Sequence, residues 1–187
     1  PPGCAASRVA RSRMEETRVH TRLVLVDDHQ MFREAMADLL SRHYRMKVVG
    51  QAGDGLQAMQ LVRQLRPDVL LLDLGLPRLH GHEVIRRCRA EQVASVILVV
   101  SMHSSRRDVL RALQAGALGY VLKTSGCQEV VKAIEAATEG RRHLDPGLGL
   151  KLSEVEALLT AESPPDPHGA LTDREREVLQ MTAEGLT

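Results

Sequence analysis

The sequence predicts an α/β protein built on a doubly wound, five-stranded parallel sheet. Three observations predict it. Short runs of Leu, Val and Ile alternate with segments of helical period, five times over, between Leu23 and Gly140. The runs lack the in–out alternation of a half-exposed strand, so both of their faces must be buried. Polar or charged residues stand at their carboxyl ends, where a parallel sheet builds its sites.

The elements follow in order. "LVLVDD", from Leu23, is the first strand, and "HQMFREAMADLLSRH" places Met31, Ala35, Leu39 and Leu40 at helical spacing. "KVVGQA" is the second strand, and "GLQAMQLVRQLRP" a helix with Ala58, Leu61, Val62 and Leu65 on one face. Val69 to Leu72 form the third strand, ending on Asp73 before a Gly-Leu-Pro turn. "GHEVIRRCRAE" is its helix. "SVILVVS" is the fourth strand, followed by "SRRDVLRALQAGA", a helix closed by Gly116. "GYVLK" is the fifth, and "CQEVVKAIEAATEG" a helix stopped by Gly140. Right-handed crossovers arrange such strands in the flavodoxin-like order 2-1-3-4-5.

A chain of 187 residues has room for one well-cored domain and a smaller appendage. With 43% apolar but only 2% aromatic residues, the core must be made of Leu, Val, Ile, Ala and Met. The 25 basic and 24 acidic residues balance, so no global field draws the chain to nucleic acid or membrane. No apolar run approaches the roughly 20 residues of a membrane span, and "PPGCAASRVARSR" lacks the apolar segment of a secretory signal. Cys4, Cys88 and Cys127 are odd in number and without C-x-x-C spacing, which favours reduced thiols. The expectation is a cytoplasmic protein with no membrane partner.

Residues 1–21 show no period and read as a mobile arm. The α/β domain occupies 22–141. Residues 142–170 read as a linker, part helical in "LDPGLGLKLSEVEALL" and Pro-rich in "TAESPPDPHGA". From 171 onward "LTDREREVLQMTAEGLT" opens on a capping box of Thr172 and Glu175. Its Leu171, Val178, Leu179 and Met181 face a core that one helix cannot make alone.

The strand ends carry the chemistry. The first ends in Asp27 and Asp28, the third in Asp73, the fourth in Ser101 and the fifth in Lys123. With strands one and three adjacent, three carboxylates crowd one edge. Such groups repel and need a cation. Lys123 supplies one charge, and a hard divalent ion such as Mg²⁺, which favours carboxylates, waters and a phosphoryl oxygen, would supply the rest. A carboxylate can itself take up a phosphoryl group as nucleophile, with metal and ammonium spreading the transition-state charge.

The "DD" after the first strand, "LLLDLGLP…G" at the third, "VVSMH" at the fourth and "GYVLK" at the fifth together resemble a bacterial response-regulator receiver domain. The resemblance implies that Asp73 accepts a phosphoryl group from a sensor histidine kinase. It implies Mg²⁺ held by Asp28, Asp73 and the main-chain carbonyl of Gly75, with Asp27 in support. Ser101 and Lys123 would bind the phosphoryl group, and Tyr120 resembles the aromatic switch that turns inward with Ser101. The tail is similar to the opening of a LuxR-type helix-turn-helix domain, and the two halves together resemble the NarL/LuxR class of transcriptional response regulators. That class implies a homodimer on phosphorylation and binding to promoter DNA by a longer protein with a complete helix-turn-helix. The turn and recognition helix would follow Thr187, so no DNA-reading residue is expected within this chain. Departures from the family pattern are Gly75, which offers no side chain over the phosphate, the bulky Met102, and Thr124-Ser125 without a nearby proline.

Each residue also has a plainer reading. Asp27 and Asp28 could cap a helix, Asp73 could serve its turn, and Tyr120 could be a half-buried strand aromatic. His80-x-His82 lacks a third ligand at zinc spacing. Arg106 and Arg107 read as solvated residues at a helix start, and "DREREVL" as a solvated helix face. Two other functional classes stand beside the regulator. One is an unphosphorylated interaction scaffold on the same fold. The other is a phosphatase-like hydrolase with an aspartyl nucleophile after the first strand; it wants a second Asp two residues on, where "DDHQ" has His29. Asp73 and Lys123 in register favour the phosphoacceptor.

Overall fold

In the computed structural model, which describes residues 20–43 and 45–160, strands and helices alternate as the apolar runs require. The arm up to residue 19, the Pro-rich stretch and the capping box lie outside the described residues. The elements are β1 (Thr21–Val26), α1 (Gln30–Ser41), β2 (Met46–Ala52), α2 (Gly55–Leu65), β3 (Val69–Leu72) and α3 (Gly81–Ala90). They continue with β4 (Val96–Ser101), α4 (Arg106–Ala115), β5 (Gly119–Leu122), α5 (Cys127–Thr138), β6 (His143–Leu144) and α6 (Leu152–Thr160). The sheet runs β2-β1-β3-β4-β5-β6 with every pair parallel. Over the first five strands this is the expected order.

Successive strand residues feed opposite cores. Val24, Val26, Leu70 and Leu72 join Ala58, Val62, Val84, Ile85 and Val109 on one face. Leu23, Leu25, Val69 and Leu71 join Met36, Leu40, Val130 and Ile134 on the other. Helices cover both faces, which is why the strand runs carry no polar alternation. Cys88 and Cys127 are free thiols. Among the described residues no helix is long and apolar enough to cross a membrane.

Two expectations need correction. In α1 Leu40 is buried as expected, but it shares the inward face with Met36 and Ala37, whereas Met31 is 85% exposed, Leu39 is 47% exposed and Ala35 faces solvent. Both stripes satisfy a 3.6-residue period, and the crossover from β1 decides which one meets the sheet. In α2 the expected face holds: Ala58 and Val62 are buried, with Leu61 and Leu65 packed beside them. The second correction is a sixth strand. His143 and Leu144 pair with Gly119 and Tyr120 and lengthen the sheet beyond β5. A two-residue strand is too short to show a period.

The chain after β6 stays on this body. Val155 of α6 is fully buried in the same core as Val109, Leu113 and Tyr120, and Leu148, Leu150 and Leu159 pack against that core. Between β6 and α6, the Asp145 carboxylate is 1% exposed and accepts the amides of Leu122 at 2.9 Å and Gly147 at 2.7 Å. Burial by itself raises its pKa, but the Ser125 hydroxyl and those two amides outweigh it and hold the group below the ordinary Asp range. A depressed folded value means the stabilisation is present above the unfolded value of about 3.9 and is lost as pH falls through the folded value. Asp145→Ala should therefore lose about 1–3 kcal/mol at pH 7, since it strands the buried Leu122 amide and releases the amide of the exposed Gly147. Urea denaturation should show this gap narrowing as pH drops below about 4.

Candidate functional site

Register builds the site. Val26 lies opposite Leu72 in the β1–β3 ladder, so the next residues, Asp27 and Asp73, leave the sheet side by side. The Asp73 amide continues the ladder to the Val26 carbonyl at 2.9 Å. Two strands away, Leu122 lies opposite Ser101, and Lys123 follows it off the sheet. The Lys123 Nζ reaches back to 2.7 Å from Asp27 Oδ2 and 2.7 Å from Asp73 Oδ2. All three side chains are 7% exposed or less, so the bridge is shielded from water. The Phe32 ring lies beneath the ammonium, 5.1 Å from Nζ to its centroid, and adds a cation–π contact. Burial pulls the Lys123 pKa down, but hydrogen bonds to Asp27 and Asp73 outweigh it and raise the pKa, so the ammonium stays charged.

The remaining carboxylate oxygens are held by main chain. Asp73 Oδ1 accepts the Leu74 amide at 2.7 Å, and Asp27 Oδ1 accepts the His29 amide at 2.9 Å. Neither Asp27 nor Asp28 is the N-cap of α1; that position is His29. Asp28 is the open member, with about a third of its side chain exposed (34%) and one oxygen 2.8 Å from His29 Nδ1. One ligand atom from each of Asp27, Asp28, His29 and Asp73 lies within 4.8 Å of the others. Three carboxylates face a single ammonium, leaving room in the charge balance for a cation. Their oxygen donors suit a hard ion.

The loop after β3 is held tightly around this cluster. A Cβ at Gly81 would collide with the Asp73 carbonyl, and one at Gly55 with the Leu79 carbonyl, so both positions require the bare backbone. Arg78 pairs with the buried Asp54, whose other oxygen caps α2 at the Gln57 amide. A Cβ at Gly75 would stand 3.8 Å from Asp73 Oδ2, so residue 75 overlooks the carboxylate without covering it.

Ser101 and Tyr120 form a second, adjoining unit. Ser101 is fully buried at the end of β4, and its Oγ accepts the His103 amide at 3.2 Å. The Tyr120 hydroxyl donates to the His103 carbonyl at 2.8 Å and is hydrogen-bonded to Ser101. Burial pushes the phenol up to about 12, against the lowering effect of Ser101, so it remains a neutral donor. Tyr120 is fully buried, more than the half-buried strand aromatic of its plainer reading.

Thus Asp27, Asp28, Asp73 and Lys123 come together, with Ser101 and Tyr120 linked beside them. His80 and His82 stay outside the group; His80 is the N-cap of α3. A cleft of about 740 Å³ lies at the other end of the sheet, lined by Arg66, Asp68, Gln92 and Ser95, and holds none of the clustered groups. Sequence reasoning missed three contributors: His29 between the carboxylates, Phe32 under the ammonium, and Asp145 behind Lys123. His29 was detectable as the neighbour of an acidic pair at a strand end. Phe32 and Asp145 gave no local signal of their roles.

Comparison with known proteins shows the family and the fold. The family model described as response regulator receiver domain matches residues 23–135. The nitrate/nitrite response regulator protein NarL of Escherichia coli (strain K12) is 35% identical over 164 residues, covering 88% of this chain and 76% of that protein. The transcriptional regulatory protein LiaR of Bacillus subtilis (strain 168) is 35% identical over 166 residues, covering 89% and 78%. Among solved structures, a LuxR-family two-component response regulator from Aurantimonas sp. SI85-9A1 superposes with a TM-score of 0.68 at 38% identity, covering 74% of this chain and 99% of that one.

Proposed function

Since the chain belongs to the two-component response regulators of the NarL/LuxR type, we propose that Asp73 is its phosphoacceptor and a sensor histidine kinase its donor. An Asp73 carboxylate oxygen attacks the phosphorus, and the bond from phosphorus to the donor imidazole breaks. The imidazole leaves with the electron pair and takes a proton from solvent. Lys123 turns its ammonium to the equatorial oxygens and keeps its hold on Asp27. The Leu74 amide fixes the rotation of the Asp73 carboxylate. The clustered carboxylates suit Mg²⁺, which Asp28, Asp73 and the Gly75 carbonyl would hold with Asp27 in support. When bound, the ion neutralises the charge of the phosphoryl oxygens.

The single observation that carries this reading is the buried Lys123 ammonium bridging Asp27 and Asp73 beside an open Asp28. Phosphorylation replaces the single negative charge of the Asp73 carboxylate with about two on the phosphoryl group. We assign the readout of that charge to Ser101 and Tyr120, whose shared bonds to His103 tie the β4–α4 loop to the site. Residues 22–141 are assigned to the receiver domain, 142–170 to a part-helical connector, and 171–187 to the opening of a LuxR-type helix-turn-helix domain. Homodimerisation on phosphorylation would set two such domains on paired half-sites of promoter DNA.

Intact-mass analysis tests the reading. With acetyl phosphate and Mg²⁺ the chain should gain one phosphoryl group, and chelation of the metal should prevent the gain. An unchanged mass under both conditions would favour the alternative, an unphosphorylated scaffold.

A further inference from the structure

Lys123 is the group whose position matters most, yet it sits on a short and weakly bonded element. It opens a 3₁₀ turn, Lys123–Ser125, directly after β5. Such turns have poor hydrogen-bond geometry and hold their shape only with outside support. The N-cap of this turn, Leu122, has no side-chain cap to offer.

Support comes from one side chain in the connector. Asp145 Oδ2 accepts the Leu122 amide at 2.9 Å, which fixes the entry to the turn. The Ser125 hydroxyl bonds the same carboxylate, which fixes the exit. The second oxygen accepts the Gly147 amide at 2.7 Å, and the Asp145 amide donates to the Tyr120 carbonyl at 2.9 Å. At 1% exposure the carboxylate is closed to competing water. Charge-assisted bonds to a buried anion are the stronger kind. Lys123 therefore stands between two points that Asp145 holds.

We propose that Asp145 is a positioning residue for phosphoryl transfer: it clamps Leu122 and Ser125 so that the Lys123 ammonium is aimed between Asp27 and Asp73. It touches none of the reacting atoms and acts through Lys123 alone. The inference rests on Asp73 as acceptor. It also gives the connector a part in the chemistry, since β6 and the 3₁₀ turn at Pro146–Leu148 hold Asp145 in place.

A double-mutant cycle on the full chain tests this, with the rate of Mg²⁺-dependent phosphorylation by acetyl phosphate as readout. Asp145→Asn keeps the shape but gives up the anion, and it should slow the reaction about ten-fold, since misplacing a catalytic group by 1 Å can cost about a hundred-fold. Ser125→Ala, at an exposed position, should slow it about two- to three-fold by releasing only the exit. In a Lys123→Ala background each change should have almost no further effect, because the group it aims is gone. A wild-type rate in Asp145→Asn overturns the proposal, as does an equal fractional loss with and without Lys123. If Asp145→Asn loses its cooperative melt, the Ser125→Ala pair decides by the same two criteria. If the unsubstituted chain takes up no phosphoryl group, the acceptor reading itself fails and the positioning role falls with it.

Discussion

Asp73→Asn is expected to abolish the phosphoryl mass gain while leaving the fold intact. Asparagine keeps the volume, and its amide oxygen can still accept the Leu74 amide, now 2.7 Å from Asp73 Oδ1. What it lacks is an oxyanion able to attack phosphorus. The substitution also removes one of three clustered negative charges, while Lys123 retains Asp27 at 2.7 Å. Lost attraction and relieved repulsion oppose each other, so the urea midpoint should move by less than about 1 kcal/mol equivalent. Intact mass after acetyl phosphate and Mg²⁺ gives the answer directly. An equal mass gain in the variant moves the acceptor to another residue, with Asp27 and Asp28 as the neighbours to substitute next.

Lys123→Ala should have the largest effect on stability. It leaves Asp27 and Asp73 buried against each other, at 6% and 7% side-chain exposure, without a cation. Removing one partner from a buried pair costs about 3–5 kcal/mol, and here the ammonium serves two partners. Added Mg²⁺ should recover part of the loss, because a ligand that binds only the folded state stabilises it by mass action. Phosphorylation should slow about a hundred-fold, the usual cost of losing one preorganised donor to a developing anion. The pH dependence has a definite sign. Although burial lowers the Lys123 pKa, its bonds to Asp27 and Asp73 win and raise it. The bridge is therefore complete below the unfolded value of about 10.4 and is lost as pH rises through the folded value. Denaturant titration should show a constant wild-type advantage from neutral pH to about 10, closing above it. Equal midpoints at neutral pH would mean that Lys123 contributes nothing to holding the two carboxylates.

The site was legible because parallel strands turn sequence position into spatial position. Asp27, Asp73, Ser101 and Lys123 each end an unbroken apolar run, and all such ends meet on one rim. Knowing the strand order is then enough to bring residues nearly a hundred positions apart into one cluster. Tyr120 was legible for the same reason, three residues before Lys123 on a strand whose register follows from the sheet. The inward face of α1 was not legible in this way. Met31–Ala35–Leu39 and Phe32–Met36–Leu40 fit the same period, and only docking on the sheet chooses between them. Phe32 lies under the Lys123 ammonium as a result of that choice.

By itself, then, the sequence determined the five-stranded order, the acidic rim and the lysine opposite it. These follow from apolar runs and from the residues that end them, both of which are local. Tertiary structure alone decided that Asp27 rather than Asp28 shares the Lys123 ammonium, that β6 extends the sheet, and that Asp145 is clamped behind the Lys123 turn. The physical reason is common to all three. Each depends on a hydrogen bond or ion pair between distant segments, whose partner is set by how finished elements pack and not by any period in the chain.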